Sequence, residues 1–220
     1  MMYFLYNLIV SLARLFLQII ALFNKKIKLF VDGRKETFQK LSNTISNTDK
    51  VVWIHCASLG EFEQGRPIIE KIRKTYTNHK IVLTFFSPSG YEVRKNYSEV
   101  DVVCYLPLDT KLNARKFIDL VRPEIAIFVK YEFWPNILNE LKSRKVTTIL
   151  VSGIFRIDQV FFKPIGSWMR KSLQTFSHFF VQDENSEKLL NSIGIHNVRV
   201  SGDTRFDRVH EIPLQDNTLN

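Results

Sequence analysis

Only two cysteines occur in the 220 residues, Cys56 and Cys104, and each ends an apolar run. Neither has a Cys-x-x-Cys or Cys/His neighbour, so a metal site or a disulfide framework has no support. Buried, reduced thiols in a cytosolic protein are the expectation. Gly-x-Gly-x-x-Gly and Gly-x-x-x-x-Gly-Lys-Ser/Thr are both missing, which removes sequence support for a dinucleotide site or a P-loop ATPase. No internal repeat is present. Acid is scarce: 22 Asp plus Glu stand against 31 Lys plus Arg, a net charge of +9. That excess favours nucleic acid, an anionic membrane or an acidic substrate as partner. No nucleic-acid recognition motif accompanies the charge, so nucleic acid is not an expected partner. The hydrophobic share is 45%. It excludes a disordered chain and suits one domain with a full core and an appendage.

The appendage is residues 1–23, almost wholly apolar. Asn7, Ser11, Arg14 and Gln18 interrupt the run at spacings of four, three and four. On a helix they fall within about 60° of one another, a thin polar stripe on a wide apolar face. A cleaved signal peptide fits poorly, since Arg14 interrupts the apolar region and no small-x-small site follows. A spanning helix is possible by length, at about 2.5–3.5 kcal/mol for Arg14 in mid-span. A helix in the membrane interface turns the stripe to headgroups at little cost. The remaining alternative is a helix packed on the protein's own sheet. Lys25, Lys26, Lys28, Arg34, Lys35 and Lys40 follow. A basic flank of this kind attracts anionic lipid and marks the cytoplasmic side. The expectation is an anchor over 1–23, a basic flank and linker over 24–50, and the rest of the chain in the cytoplasm.

From Val51 onward, strand and helix patterns alternate. Strands are expected at 51–56, 80–86, 101–105, 124–130, 146–151, 178–181 and 197–200, as short β-branched and aromatic runs buried on both faces. Helices are expected at 61–77, 89–97, 111–121, 134–144, 164–175 and 184–192. The alternation predicts an α/β fold: a Rossmann-like parallel sheet flanked by helices, over residues 51–207.

Ligands of such sheets bind beyond the carboxyl ends of the strands. After the first expected strand come Ser58, Gly60 and Glu61. Ser58 reads as a helix N-cap and Glu61 as its capping-box partner. The other reading of Glu61 is a proton acceptor at a cleft mouth, kept ionised by the helix dipole. After the second strand come Ser87, Ser89 and Gly90, either an anion-binding turn or a plain cap. Asp109, after the third strand, is expected to cap the next helix. Glu132 follows the fourth strand, with Pro135 suited to a first helical turn. Two acids and a few cations thus gather on one edge, as a site or as a structural ion-pair network.

Five strand-end motifs occur in order: His55-x-x-Ser58-x-Gly60-Glu61, Ser87-x-Ser89-Gly90, Tyr105-x-Pro107-x-Asp109, Glu132-x-Trp134-Pro135-Asn136 and Gly202-Asp203-Thr204-Arg205-Phe206-Asp207. With the apolar N-terminus and its basic flank, they resemble the amino-terminal half of 3-deoxy-D-manno-octulosonic acid (Kdo) transferases. The resemblance implies the acceptor half of a GT-B fold, at the cytoplasmic face of the inner membrane. It implies inverting transfer of Kdo from CMP-Kdo to a lipid A precursor in lipopolysaccharide biosynthesis. Glu61 matches the family's general base. Glu132 and Arg205 match residues assigned to transition-state stabilisation. Ser58, Gly60, Ser87, Ser89 and Gly90 become candidate substrate contacts. Neither metal nor cofactor is implied, and the partners are the lipid acceptor, CMP-Kdo and the anionic membrane surface.

The chain departs from the family pattern in two places. Lysine is usual where Arg205 stands, and Asn-Ala-Arg is commoner where Gly153-Ile154-Phe155 stands. Residues 208–220 read as the start of an interdomain linker. The expectation is therefore that the donor-binding domain is missing and that the chain alone does not turn over. Two further readings compete: another membrane-associated GT-B glycosyltransferase, and a non-catalytic membrane-tethered binding domain.

Overall fold

A computed structural model describes residues 1–203. Seven strands form one parallel sheet: β1 (Lys50–Cys56), β2 (His79–Phe85), β3 (Val102–Tyr105), β4 (Pro123–Val129), β5 (Thr147–Gly153), β6 (His178–Val181) and β7 (Val198–Val200). Their order is β3-β2-β1-β4-β5-β6-β7. Each strand pair is parallel, so every connection is a crossover. The order reverses direction at β1, which pairs with both β2 and β4. In open α/β sheets a reversal of this kind is where ligands bind, beyond the carboxyl ends of the strands.

Strand residues alternate between two cores because successive side chains point to opposite faces. Trp53 packs with Phe117, Phe128, Leu141 and Leu150 on one face. Ile54 packs with Phe62, Ile69, Leu83 and Val129 on the other. Both faces are covered, so the strands carry apolar residues at nearly every position. The covering helices are α4 (Leu59–Thr75), α5 (Pro88–Arg94), α6 (Lys111–Val121), α7 (Pro135–Ser143), α8 (Ser167–Leu173) and α9 (Glu184–Ser192). Residues 164–175 are not one helix as expected. Pro164–Gly166 is a short 3-10 turn, and α8 begins only at Ser167. Gly166 sits against the Val160 carbonyl, where a Cβ has no room.

Residues 24–50, expected as flank and linker, hold two helices, α2 (Lys25–Lys35) and α3 (Thr37–Thr44). The Ser, Thr and Asn content is misleading because it belongs to helix caps and faces. Asn24 caps α2 through the Ile27 N–H. Thr37 donates to the Tyr105 carbonyl at 2.9 Å, and Leu41 is fully buried in the core.

Helix α1 (Met2–Ile20) has 19 residues and no buried side chain. Its mean hydropathy over an 18-residue window is 1.6. Length and composition fit a membrane anchor, a signal sequence or a core helix; its exposure argues against a core helix. Of the polar stripe, Ser11, Arg14 and Gln18 are exposed. Asn7 faces the body of the protein, where it takes part in hydrogen bonds with Asn136. Phe4, Leu8, Leu12, Leu15, Phe16 and Ile19 point outward and are exposed.

Candidate active site at the β1–β4 junction

Glu61 and Glu132 stand on the two sides of the sheet's reversal point, after β1 and β4. Glu61 is the third residue of α4, and its Oε2 accepts from the Ser58 N–H at 2.9 Å. The Ser58 side chain accepts in return from the Glu61 backbone N–H, so the capping box forms as the spacing predicts. Glu61 is buried, at 6% exposure. Burial pushes its carboxyl above the ordinary value of 4.5, and the charge of Glu132 adds to the rise. His55 and the Ser58 and Ala57 N–H groups oppose the shift without cancelling it. Burial thus works against the ionising influence expected of the helix terminus.

Glu132 reaches the junction through a strained backbone. Lys130, the residue after β4, has φ of +75°. Its N–H is tied to the Val151 carbonyl of β5 at 2.9 Å, which extends the β4–β5 ladder by one bond. Left-handed backbone at a non-glycine residue costs about 1–3 kcal/mol and gathers at functional sites. Glu132 Oε2 then accepts from Trp134 Nε1 at 3.0 Å and lies 3.5 Å from His55 Nε2.

His55 points from β1 into this space and is wholly buried. Its Nδ1 is 2.9 Å from Thr84 Oγ1 and 3.2 Å from the Thr84 carbonyl. Trp53 Nε1 donates to the same Thr84 hydroxyl at 2.9 Å. Nε2 is buried without a hydrogen-bond partner among the described residues and faces the Glu132 carboxylate. His55 was legible as part of a motif but not as a site residue, because a histidine in an apolar strand looks like core.

The alternative of a structural ion-pair network finds no support among the described residues. Among the described residues, neither Glu61 nor Glu132 pairs with Lys or Arg; the partner of Glu132 is His55. Nor does any group of three or more His, Cys, Asp and Glu among them converge to hold a metal ion.

The remaining candidates separate. Gly60 is exposed, and a Cβ there would meet nothing within 4 Å, so the approach to Glu61 is open. Ser87 caps α5 by accepting from the Ser89 N–H at 3.2 Å, and the two hydroxyls bond each other at 2.8 Å. Gly90 lies against the Phe85 ring and Leu59 backbone, where a side chain would collide. These three residues join the second turn to the first, aided by the Ser87 N–H bond to the Ala57 carbonyl at 2.7 Å. Asp109 does not cap the helix that follows it: Thr110 caps α6, and Asp109 instead caps α7 through the Asn136 and Ile137 N–H groups, each at 2.9 Å. The last motif also reaches the site, since Gln64 donates to Asp203 at 3.1 Å, one turn of α4 beyond Glu61. Arg205 lies outside the described residues.

Comparison with known proteins places this architecture. Residues 32–208 match the family described as 3-deoxy-D-manno-octulosonic-acid transferase (kdotransferase). A 3-deoxy-D-manno-octulosonic acid transferase of Rickettsia felis is 27% identical over 196 residues, covering 86% of this chain and 41% of its own. That of Aquifex aeolicus is 35% identical over 113 residues, 51% of this chain and 31% of its own. A bifunctional glycosyltransferase/methyltransferase of Fusobacterium nucleatum is 26% identical over 176 residues, 77% of this chain and 26% of its own. The chain thus spans well under half the length of these relatives. Among solved structures, UDP-GlcNAc 2-epimerase of Neisseria meningitidis superposes with a TM-score of 0.56 at 17% identity, over 77% of this chain and 51% of its own. That likeness shows the fold, a Rossmann-like half domain of GT-B type. Matched over residues 32–208, the chain belongs to the 3-deoxy-D-manno-octulosonic-acid transferase family.

Proposed function

We propose that this chain is the acceptor-side half of a membrane-associated GT-B glycosyltransferase, with Glu61 as its general base. The observation that carries the proposal is that Glu61 and Glu132 flank the sheet's reversal point closely enough for the charge of one to act on the other, with His55 Nε2 3.5 Å from Glu132. An acceptor hydroxyl placed at Gly60 loses its proton to the Glu61 carboxylate as its oxygen attacks the anomeric carbon of the donor sugar. The bond from that carbon to the nucleotide phosphate breaks, and the nucleotide leaves with the electron pair. A raised carboxyl pKa suits this task, because a stronger base takes the proton more readily. Glu132, with Arg205 beyond the described residues, is proposed to stabilise the charge that develops.

The finer reading is transfer of Kdo from CMP-Kdo to a lipid A precursor. Family membership and the relatives' names support it. The relative named a bifunctional glycosyltransferase/methyltransferase favours a broader alternative, a GT-B enzyme of the same family with another sugar. Assaying the natural full-length protein against CMP-Kdo and other nucleotide sugars separates them: transfer from CMP-Kdo alone supports the finer reading, and transfer only from another donor replaces it.

The geometry of α1 bears on membrane placement. The helix touches the body along its length, from Tyr3 and Tyr6 beside Trp168 to Leu17 and Gln18, which line a cavity with Phe30, Arg34 and Leu108. A helix about 28 Å long and laid along the domain favours an interfacial placement over a spanning one. We place it flat in the interface of the inner membrane's cytoplasmic face, apolar side down. The basic helix α2 is beside it, facing anionic lipid.

A further inference from the structure

Helix α1 does more than rest on the domain. Its first two turns carry three polar side chains: Tyr3 and Asn7 meet Asn136 at the start of α7, and Tyr6 meets Asp109, which caps α7. Tyr6 Oη donates to Asp109 Oδ2 at 2.7 Å. Tyr3 Oη donates to Asn136 Oδ1 at 2.5 Å. Asn136 Nδ2 donates to Asn7 Oδ1 at 3.0 Å and to the Asp109 carbonyl. Asp109 and Asn136 are 2% and 3% exposed. Buried polar groups cost free energy unless each finds a partner, and here α1 supplies part of the set.

What is held is the root of the candidate site. Asp109 accepts from the first N–H groups of α7, and α7 starts one residue after Trp134. Trp134 donates to Glu132 and stacks on Phe86 at 4.5 Å and 29°. An unbroken run of bonds therefore leads from Tyr6 through Asp109, the α7 terminus and Trp134 to Glu132.

We propose that Tyr3, Tyr6 and Asn7 are positioning residues: by clamping Asp109 and Asn136, α1 fixes the α7 terminus and with it Glu132 at the sheet's reversal point. Seating α1 at a lipid surface and aligning the site are then one event. This inference rests on the proposed transferase reading. None of the three residues touches the reacting atoms.

The test uses Tyr6→Phe in the natural full-length protein. This variant keeps the ring against Trp168 and deletes only the donor to Asp109. Three quantities are read: sedimentation with anionic phosphatidylglycerol vesicles, amide exchange over residues 130–137, and kcat against KM for the lipid acceptor. The expected result is unchanged sedimentation, faster exchange over 130–137, and a kcat lowered by about tenfold or more at unchanged KM. Restoration of a hydroxyl at a different position of the ring does not recover kcat, whereas Tyr3→Phe with Tyr6 intact gives a smaller loss of the same kind. Wild-type kcat and wild-type exchange over 130–137 in Tyr6→Phe overturn the inference, as does a kcat loss that accompanies lost vesicle binding. Should wild type show no transfer, the transferase reading falls, and the exchange over 130–137 alone decides the clamp.

Discussion

His55 Nε2 lies 3.5 Å from Glu132 Oε2, across the gap between β1 and the β4–α7 loop. The histidine is packed against Trp53 and Phe128 and fastened below by Thr84. It opposes the rise that burial and Glu132 impose on the Glu61 carboxyl. Removing it changes three things at once: a cavity opens, Thr84 loses a partner and two acids face each other unmediated.

His55→Ala is accordingly predicted to destabilise the fold by about 2–4 kcal/mol, from the cavity together with the unpaired polar atoms. Urea denaturation at pH 7 measures this. A change below about 0.5 kcal/mol contradicts the packing described for His55.

Glu61 gives a stability prediction with a definite sign. Its folded-state pKa is raised above 4.5 by burial first and Glu132 second. The unfolded chain therefore releases this proton at lower pH than the folded one. Stability from the protonated carboxyl is present below the unfolded pKa and is lost as pH rises through the folded value. Glu61→Gln keeps the acceptor for the Ser58 N–H and carries no proton equilibrium. Its melting temperature relative to wild type should rise between acid and neutral pH. A difference that moves the other way places the carboxyl pKa below its ordinary value.

Lys130 tests whether the loop is held by strain. Its φ of +75° is one that glycine adopts freely. Lys130→Gly is expected to leave stability within about 1 kcal/mol of wild type, whereas Lys130→Val, β-branched, costs at least about 1–2 kcal/mol. Equal losses in both variants, read from urea midpoints, contradict the left-handed turn.

Asp109 tests which helix it caps. Asp109→Ala is expected to cost about 1–2 kcal/mol and to speed amide exchange at Asn136 and Ile137, with little change at the start of α6. Faster exchange at Asn113 in place of Ile137 restores the capping of α6 by Asp109.

These residues also show where sequence patterns run out. The strands were legible because doubly covered strands leave continuous apolar runs; expected 178–181 and 111–121 match β6 and α6 as found. Their order was not legible, and it is the order that brings Glu61 and Glu132 to one reversal point. Asp109 looked like a cap for α6 because spacing reports only sequence neighbours. Thr110 stood one residue nearer, and α7 lay across space. The stretch 24–50 looked like flank and linker because its second half is rich in Ser, Thr and Asn, yet Thr37 and Leu41 of α3 are buried. The polar stripe of α1 was visible, but which way it turned depends on Asp109 and Asn136, more than a hundred residues away. His55 was hidden by its own strand.

The most direct measurement of the central claim is kcat of Glu61→Gln in the natural full-length protein, with CMP-Kdo and a lipid A precursor. The side chain still caps α4 but cannot take a proton. Loss of the base predicts a kcat lower by about 10²–10⁴-fold with the fold and vesicle binding intact. A kcat within a few fold of wild type contradicts Glu61 as the base and leaves it as the capping residue its spacing first suggested.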